Sequence, residues 1–479
     1  MACEKQSPKQ AFFWGWFTGV IYFSGTVSWV TISMHLYGGL PWIISYLLMF
    51  LLVSYLAIYI GLFTLSVRWI KSRSYLIPPI SWTALEYLRG HLLTGFPWNA
   101  LGYSQYKNLP LIQIADLTSV YGISFLIVLS NVALFRLFKT MKEKTVSWTP
   151  LLVTLSLFIV TLLYGFDRLK KPMGRGEALS VAVVQGNIDQ AIKWAEGTRD
   201  ETLRIYDRLS SSFVKQPQLV VWPEAAMPFF LQNEPSYQRT IFDLSARGNF
   251  YLLLGSPAFQ TASEGTIELF NSAYLISPKP TEVDRALYAE RRYDKIHLVP
   301  FGEYIPLKSI LFFVDKMVTG IGDFIPGKEA RVWEVPPAKI GVAICYEIIF
   351  PDLVRLFVKN GANMMVTITN DAWFGRSDAP YQHFSMVVFR AIENRVPVAR
   401  SANTGISGFI DAHGKILQET EIFVEDTRLE RLTPGFRKTF YTVYGDFFAL
   451  GCLAVLIILI LLSCRRGDSN PHGVTPTRP

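Results

Sequence analysis

The chain has 479 residues, of which 50% are hydrophobic and only 18% charged, against roughly 25% charged in an ordinary soluble domain. With a mean hydropathy of +0.26, this excludes a disordered chain, which needs low hydrophobicity and high net charge, and argues against a wholly soluble one. Four cysteines and six scattered histidines exclude a disulfide scaffold and show no metal-ligand spacing; the net charge of +8 follows the loops and does not form a nucleic-acid footprint.

Residues 1–11 have no separate apolar core with a cleavage site, so they read as a short cytoplasmic N-terminus and not as a signal peptide. Cys3 lacks an upstream apolar run and reads as a surface cysteine. Uncharged runs follow at 12–34, 40–67, 117–135 and 145–166, and another at 447–464. About 20 such residues cross a bilayer as a helix. A further apolar segment, 74–93, carries Glu86 and Arg89. The sequence therefore predicts a transmembrane domain of five helices over 12–166 and an extramembrane domain over 167–436. A connector and a last membrane helix cover 437–464, and a polar, disordered tail covers 465–479.

Lysine and arginine set the orientation. They cluster at Lys5 and Lys9, at Arg68, Lys71 and Arg73, at Arg136, Lys139, Lys142 and Lys144, and at Arg465 and Arg466. The intervening loops are poor in them: 35–40 has none and 94–116 only Lys107. Both termini are expected in the cytoplasm and 167–446 on the outer side. Glu86 and Arg89, three residues apart on one helix, read either as an ion pair or as a lipid-headgroup contact.

From about 177 to 430 the texture changes. Short Val/Ile/Leu-rich runs predict strands at 179–185, 219–222, 251–255, 271–276, 340–345, 364–369 and 396–402, of the kind buried on both faces. Helical stretches lie between them, notably 198–214 and 380–395. The alternation predicts an α/β domain.

Polar residues at the ends of these runs carry the chemistry. Glu224 follows Leu-Val-Val-Trp-Pro, Lys295 and Glu303 share one loop segment, and Cys345 ends Ile-Gly-Val-Ala-Ile. Taken singly, each has an ordinary reading: a solvated acid, a surface lysine, a loop salt-bridge acid, a small buried hydrophobe. Taken together they supply a base, a cation and a thiol nucleophile. A Cys–His dyad with His297 is the weaker alternative, because Lys-Ile-His alternation places that ring equally well in a structural role.

Residues 177–430 resemble the nitrilase (carbon–nitrogen hydrolase) superfamily. The resemblance rests on Pro-Glu224 after a strand, on Tyr-Asp-Lys295-Ile-His-Leu-Val-Pro-Phe-Gly-Glu303, and on Cys345-Tyr346-Glu347 after a strand. The whole chain, about 12–465, is similar to the apolipoprotein N-acyltransferase family, including Glu86-Tyr-Leu-Arg89-Gly-His and the following Gly-Phe-Pro-Trp98. The resemblance implies an αββα sandwich on the outer face of the bacterial inner membrane, with no cofactor or metal. It implies a phospholipid acyl donor, a diacylated apolipoprotein acceptor and no nucleic-acid partner. It implies that Cys345 forms a thioester, Glu224 acts as base, Lys295 stabilises the oxyanion and Glu303 supports them. Trp194, Asn271, Tyr346, Glu347 and Trp373 are implied as substrate-binding or pocket-shaping. Trp194 suits a lipid-facing lid, and Phe229, Phe230, Phe312 and Phe313 read either as lipid-dipping aromatics or as core. Family members also carry two further apolar spans ahead of position 12. An even number leaves the predicted orientation unchanged. Two rival functions stay open on sequence: a membrane-tethered amidase acting on C–N bonds, and a non-enzymatic lipid-binding scaffold.

Overall fold

The computed structural model describes residues 6–70, 74–143, 145, 147–262, 265–279, 291–305 and 323–468. Cys3, Lys5, Lys71, Arg73, Lys144, Phe312, Phe313 and the tail beyond 468 lie outside the described residues. Four described helices are long and apolar enough to cross a membrane: Trp42–Trp69, Ala115–Lys142, Thr149–Lys170 and Phe447–Arg465. The first of the predicted spans is not straight. Helix Pro8–Thr26, opened by a Ser7–Gln10 capping box, continues as Val30–Tyr37 after a 61° bend. The bend follows from distant partners. Trp29 Nε1 donates to Gln382 and the Ser33 hydroxyl to the carbonyl of Trp373.

The segment around 74–93 also differs from a simple span. Its helix, Ile77–His91, has 15 residues and is thus about 22 Å long, short of the roughly 30 Å hydrocarbon core. Glu86 and Arg89 are buried in it and do not pair with each other. Glu86 Oε1 accepts from Trp82 Nε1 and from the backbone N–H of Leu101. Arg89 donates to the carbonyls of Phe96 and Trp98. Both side chains hold the 96–101 turn, which corrects the ion-pair reading.

The extramembrane part is built on two six-stranded sheets. In chain order the strands are β1 (Leu179–Gln185), β2 (Leu219–Val221), β3 (Tyr251–Thr261), β4 (Ile267–Ile276), β5 (Arg292–Asp294), β6 (Val332–Val335), β7 (Ala338–Ile344), β8 (Met364–Thr369), β9 (Val398–Ala402), β10 (Gly408–Ile410), β11 (Ile416–Glu419) and β12 (Asp426–Leu432). One sheet has the order β12-β1-β2-β3-β4-β5 and the other β11-β10-β9-β8-β7-β6. The centre of each sheet is parallel: β1-β2-β3 in one and β7-β8-β9 in the other.

Alternation along the strands explains the layers, since successive side chains point to opposite faces. Val181, Val183, Leu219 and Val221 pack with Ile340, Val342 and Met365 of the second sheet. Their neighbours Ala182, Val184 and Val220 pack with Tyr206 and Ile241 of helices Arg199–Ser210 and Pro235–Gly248. The result is the αββα sandwich that the family resemblance implies.

The core does not stop at the membrane helices. Phe23, Trp29, Trp98 and Val120 belong to the same apolar cluster as Phe384 and Val388 of helix Ala379–Asn394. Charge reinforces this junction. Arg395 ends that helix with a left-handed φ of +52° and donates twice to Asp116 Oδ2, at 3.1 and 2.8 Å. Tyr164 donates to Asp116 Oδ1 at 2.7 Å. Two residues earlier, Glu393 accepts from Ser119 at 2.6 Å and from Arg390 at 2.9 Å.

Candidate active site

Three chain turns converge where the two sheets face each other. Glu224 lies two residues beyond Trp222, itself just past the end of β2, and the residue after it, Ala225, has a φ of +47°. Gly255 of β3 lets this turn sit close, because a Cβ there would come within 2.7 Å of the Glu224 Cα. Lys295 directly follows β5, and Glu303 closes the loop after it. Cys345 directly follows β7 with a φ of +53°, a strained conformation for a residue other than glycine.

Lys295 binds these turns together. Its Nζ lies 2.9 Å from Glu303 Oε1 and 3.6 Å from Glu224 Oε1. Asn271 of β4 donates to the same two oxygens, each at 2.7 Å. The other Glu224 oxygen accepts from the backbone N–H of Asn370 at 2.9 Å, and the other Glu303 oxygen from that of Val299 at 2.7 Å. The two carboxylates are thus fixed by donors on every side, as buried charges require.

The electrostatics define the resting state. Burial pulls the Lys295 pKa down, but Glu303 and Glu224 outweigh it and lift it above the ordinary lysine value. Lys295 therefore stays cationic. Burial, with Glu224 beside it, raises the Cys345 thiol well above its ordinary range, and Lys295 offsets only part of this. Cys345 therefore rests as a thiol, and sulfur chemistry there would need a base to take its proton. His297 does not supply that base. Burial pushes its pKa down to about 4, and its ring stacks on Phe350 at 3.7 Å.

The remaining sequence-predicted residues divide. Asn271 stands inside the cluster as the amide that bridges both carboxylates. Glu347 is fully buried, with both oxygens taken: Oε1 by Tyr293 and the backbone of Ile296 and His297, Oε2 by the backbone of Ile344. It ties the Lys295 loop to the Cys345 turn, which leaves it no oxygen for a substrate, and burial raises its pKa to about 7. Tyr346 packs edge-on against Phe350. Trp373 lies against Tyr37 of the bent membrane helix at 5.2 Å, and Trp194 is half-buried in the loop after β1. Phe229 is buried against Tyr237, and Phe230 packs on Phe259, so both belong to the sandwich.

Several polar residues at the site escape the sequence reading. Lys193 is fully buried, and its ammonium donates to the backbone carbonyl of Glu224 at 3.3 Å. Asn370 links Glu224 to Gln190, whose Oε1 accepts at 2.6 Å. Asp371 and His383 lie behind Cys345. Asn370 and Asp371 follow the apolar run of β8, the same signal that singles out Glu224 and Cys345. Lys193 and His383 have no local signal, because tertiary packing alone buries them.

Among the described residues, no group of histidine, cysteine and acidic side chains is arranged to hold a metal ion. The arrangement offers a thiol, a carboxylate base and a fixed cation in a site where Glu224, Lys295 and Cys345 are each less than a tenth exposed.

Known proteins share both halves. The family model described as the apolipoprotein N-acyltransferase N-terminal domain matches residues 1–133, and that of carbon-nitrogen hydrolase matches residues 180–435. Apolipoprotein N-acyltransferase of Geobacter metallireducens is 46% identical over 97% of this chain and 89% of its own. That of Haemophilus influenzae is 35% identical over 93% of this chain and 85% of its own. A solved amidase from Nesterenkonia sp. aligns over 55% of this chain and 93% of its own, with 16% identity and a TM-score of 0.36.

Proposed function

The chain belongs to the apolipoprotein N-acyltransferase family, and from that premise we propose how its residues carry out the reaction. The enzyme is an N-acyltransferase of the bacterial inner membrane. It moves an acyl chain from a membrane phospholipid to the N-terminal amine of a diacylglyceryl-cysteine apolipoprotein, the final step of lipoprotein maturation. Loop charges support an orientation with both termini in the cytoplasm and the sandwich on the periplasmic side.

The reaction proceeds in two halves. Glu224 takes the proton of the Cys345 thiol as sulfur attacks the ester carbonyl of the phospholipid. The oxyanion that forms is stabilised by the Lys295 ammonium. Collapse breaks the carbon–oxygen bond, and Glu224 returns the proton to the departing lysophospholipid oxygen. Cys345 is left as a thioester. The α-amine of the acceptor then attacks the same carbon while Glu224 takes an amine proton. The new carbon–nitrogen bond forms, the carbon–sulfur bond breaks, and the thiol is restored.

One observation supports this assignment above the others: a single lysine is wedged between two carboxylates beside a thiol held in a strained turn. Glu303 and Asn271 keep Lys295 and Glu224 aligned. Glu347 sets the spacing of the two loops, and Tyr346, Trp194 and Trp373 line the approach. A buried site disfavours hydrolysis of the thioester, and two substrates anchored in one bilayer meet at high effective concentration.

The test is intact-protein mass after incubation with a phospholipid of defined acyl chains, wild type beside Cys345→Ala. The expected result is a hydroxylamine-labile gain of one acyl mass in the wild type only. No adduct on folded, lipid-replete wild type would overturn the reading.

A further inference from the structure

Cys345 is held in a conformation that it does not favour by itself. A left-handed backbone costs a residue other than glycine about 1–3 kcal/mol and persists only where the surroundings enforce it. The backbone of Cys345 is in contact with a buried histidine. Nε2 of His383 lies 3.2 Å from the carbonyl oxygen of Cys345. A carbonyl only accepts, so Nε2 carries the hydrogen. The other ring nitrogen, Nδ1, lies 3.0 Å from Asp371 Oδ1 and 3.0 Å from an Arg400 guanidinium nitrogen. In the neutral ring Nδ1 accepts from Arg400; in the protonated ring it donates to Asp371. The bond to Cys345 is the same in both states. Asp371 is itself fixed by Arg400 at 2.7 Å and by the Thr369 hydroxyl at 2.8 Å. Asp371, His383 and Arg400 are all fully buried.

The helix that carries His383 is set from the membrane side. The preceding residue, Gln382, accepts from Trp98 Nε1 at 2.7 Å and from Trp29 Nε1 at 3.2 Å. It donates in turn to the carbonyl of Thr26 at 3.1 Å. The Trp98 ring lies against the His383 ring, with centroids 5.4 Å apart. Trp98 is held by Arg89 through its carbonyl at 2.7 Å. A continuous chain of contacts thus runs from the short helix Ile77–His91 to the backbone of the nucleophile.

We propose that His383 is a positioning residue for the nucleophile, fixing Cys345 through its backbone carbonyl, and that Trp98 of the membrane half fixes His383 in turn. The inference rests on the reading of Cys345 as the acylated residue. It gives the membrane helices a part in the chemistry besides anchorage. A displacement of about 1 Å at a reacting atom costs about 10²-fold in rate, so removing the contact that aims the thiol has a kinetic signature.

The experiment is single-turnover acyl-enzyme formation with a phospholipid of defined acyl chains, on full-length enzyme, with thermal unfolding recorded for each variant. His383→Leu keeps the volume and removes the donor. Its maximal rate is expected to fall about 100-fold with the apparent lipid KM unmoved. His383→Gln, whose amide N–H reaches the same carbonyl, is expected to recover to within about tenfold of wild type. Trp98→Phe keeps an aromatic ring but removes the indole N–H together with part of the buried ring system, and is expected to lower the rate roughly 3–10-fold. A folded His383→Leu with the wild-type rate would overturn the proposal, as would equal losses in the Leu and Gln variants. Should His383→Leu not fold, the Gln and Trp98→Phe variants decide: full wild-type rates in both would overturn it. A wild type that gains no acyl mass sinks the functional reading and this inference with it, whereas an acylated wild type beside unaffected variants sinks this inference alone.

Discussion

The Glu224–Lys295–Glu303 cluster and the Asp116–Arg395 cluster are buried alike, with no member more than 9% exposed. Both pair a carboxylate with a cation across elements far apart in sequence. They differ in how the cation is used. Every nitrogen of Arg395 is spent on protein acceptors: Asp116 Oδ2 twice, the side chain and carbonyl of Gln113, and the carbonyl of Ala412. Lys295 has Glu303 at bonding distance and Glu224 at 3.6 Å, and its charge also acts on the Cys345 thiol. Burial of charge alone therefore does not mark a functional site in this molecule. The mark is an incompletely closed cation next to a thiol held in a strained turn.

The largest effect is expected at the Glu224–Lys295–Cys345 cluster. Glu224→Gln keeps the shape and removes the base. Acyl-enzyme formation is expected to fall about 10²–10⁴-fold, read as single-turnover kinetics, with little change in melting temperature. A modest rate loss accompanied by unfolding would place Glu224 with the structural carboxylates instead.

Asp116 is expected to behave in the opposite way. Asp116→Asn leaves Arg395 buried without its counter-charge, a loss of about 3–5 kcal/mol. Thermal unfolding of the purified enzyme reads this as a lowered melting temperature, while the acylation rate per folded molecule stays within about twofold. Replacing both partners with apolar residues of similar volume should restore much of the stability. A folded single variant with impaired acylation would show that the junction does more than hold the halves together.

A smaller effect is expected at Lys193. Burial brings its pKa down to about 8 from the ordinary 10.5, with Glu224 opposing. A base whose folded pKa is depressed contributes stability above its unfolded pKa and loses it as pH falls through the folded value. The wild type thus carries a cost at pH 7 that vanishes toward pH 10.5. Lys193→Met should melt at or above the wild-type temperature at pH 7, and the gap should close between about pH 8 and 10.5. A gap independent of pH across that range contradicts the assignment.

The sequence is a good guide where one element sets its own environment. The apolar runs of β1 and β8 coincide with the predicted strands to the residue, and those of β2, β3, β4, β7 and β9 differ only at their ends. Their side chains are buried on both faces, so hydrophobicity alone marks them. β5 and β10 have three residues each, and β11 and β12 are half-exposed with polar residues on one face, so neither length nor composition signals them. Glu224, Lys295 and Cys345 are legible because a charge or a thiol at the end of a buried run needs a reason. The bend near Trp29 is illegible because its cause, Gln382, lies 353 residues away. His383 is hidden for the same reason: its partners, Cys345, Asp371 and Trp98, are set by packing and not by neighbours along the chain.

The most direct measurement is a chase. Wild-type enzyme is acylated with a defined phospholipid, freed of donor, and mixed with a diacylglyceryl-cysteine peptide bearing a free α-amine. The acyl mass is expected to leave Cys345 and appear as an amide on the peptide, with the unmodified enzyme regenerated and little free fatty acid. Release of the chain as free fatty acid, or an adduct that the amine does not discharge, would contradict this transfer.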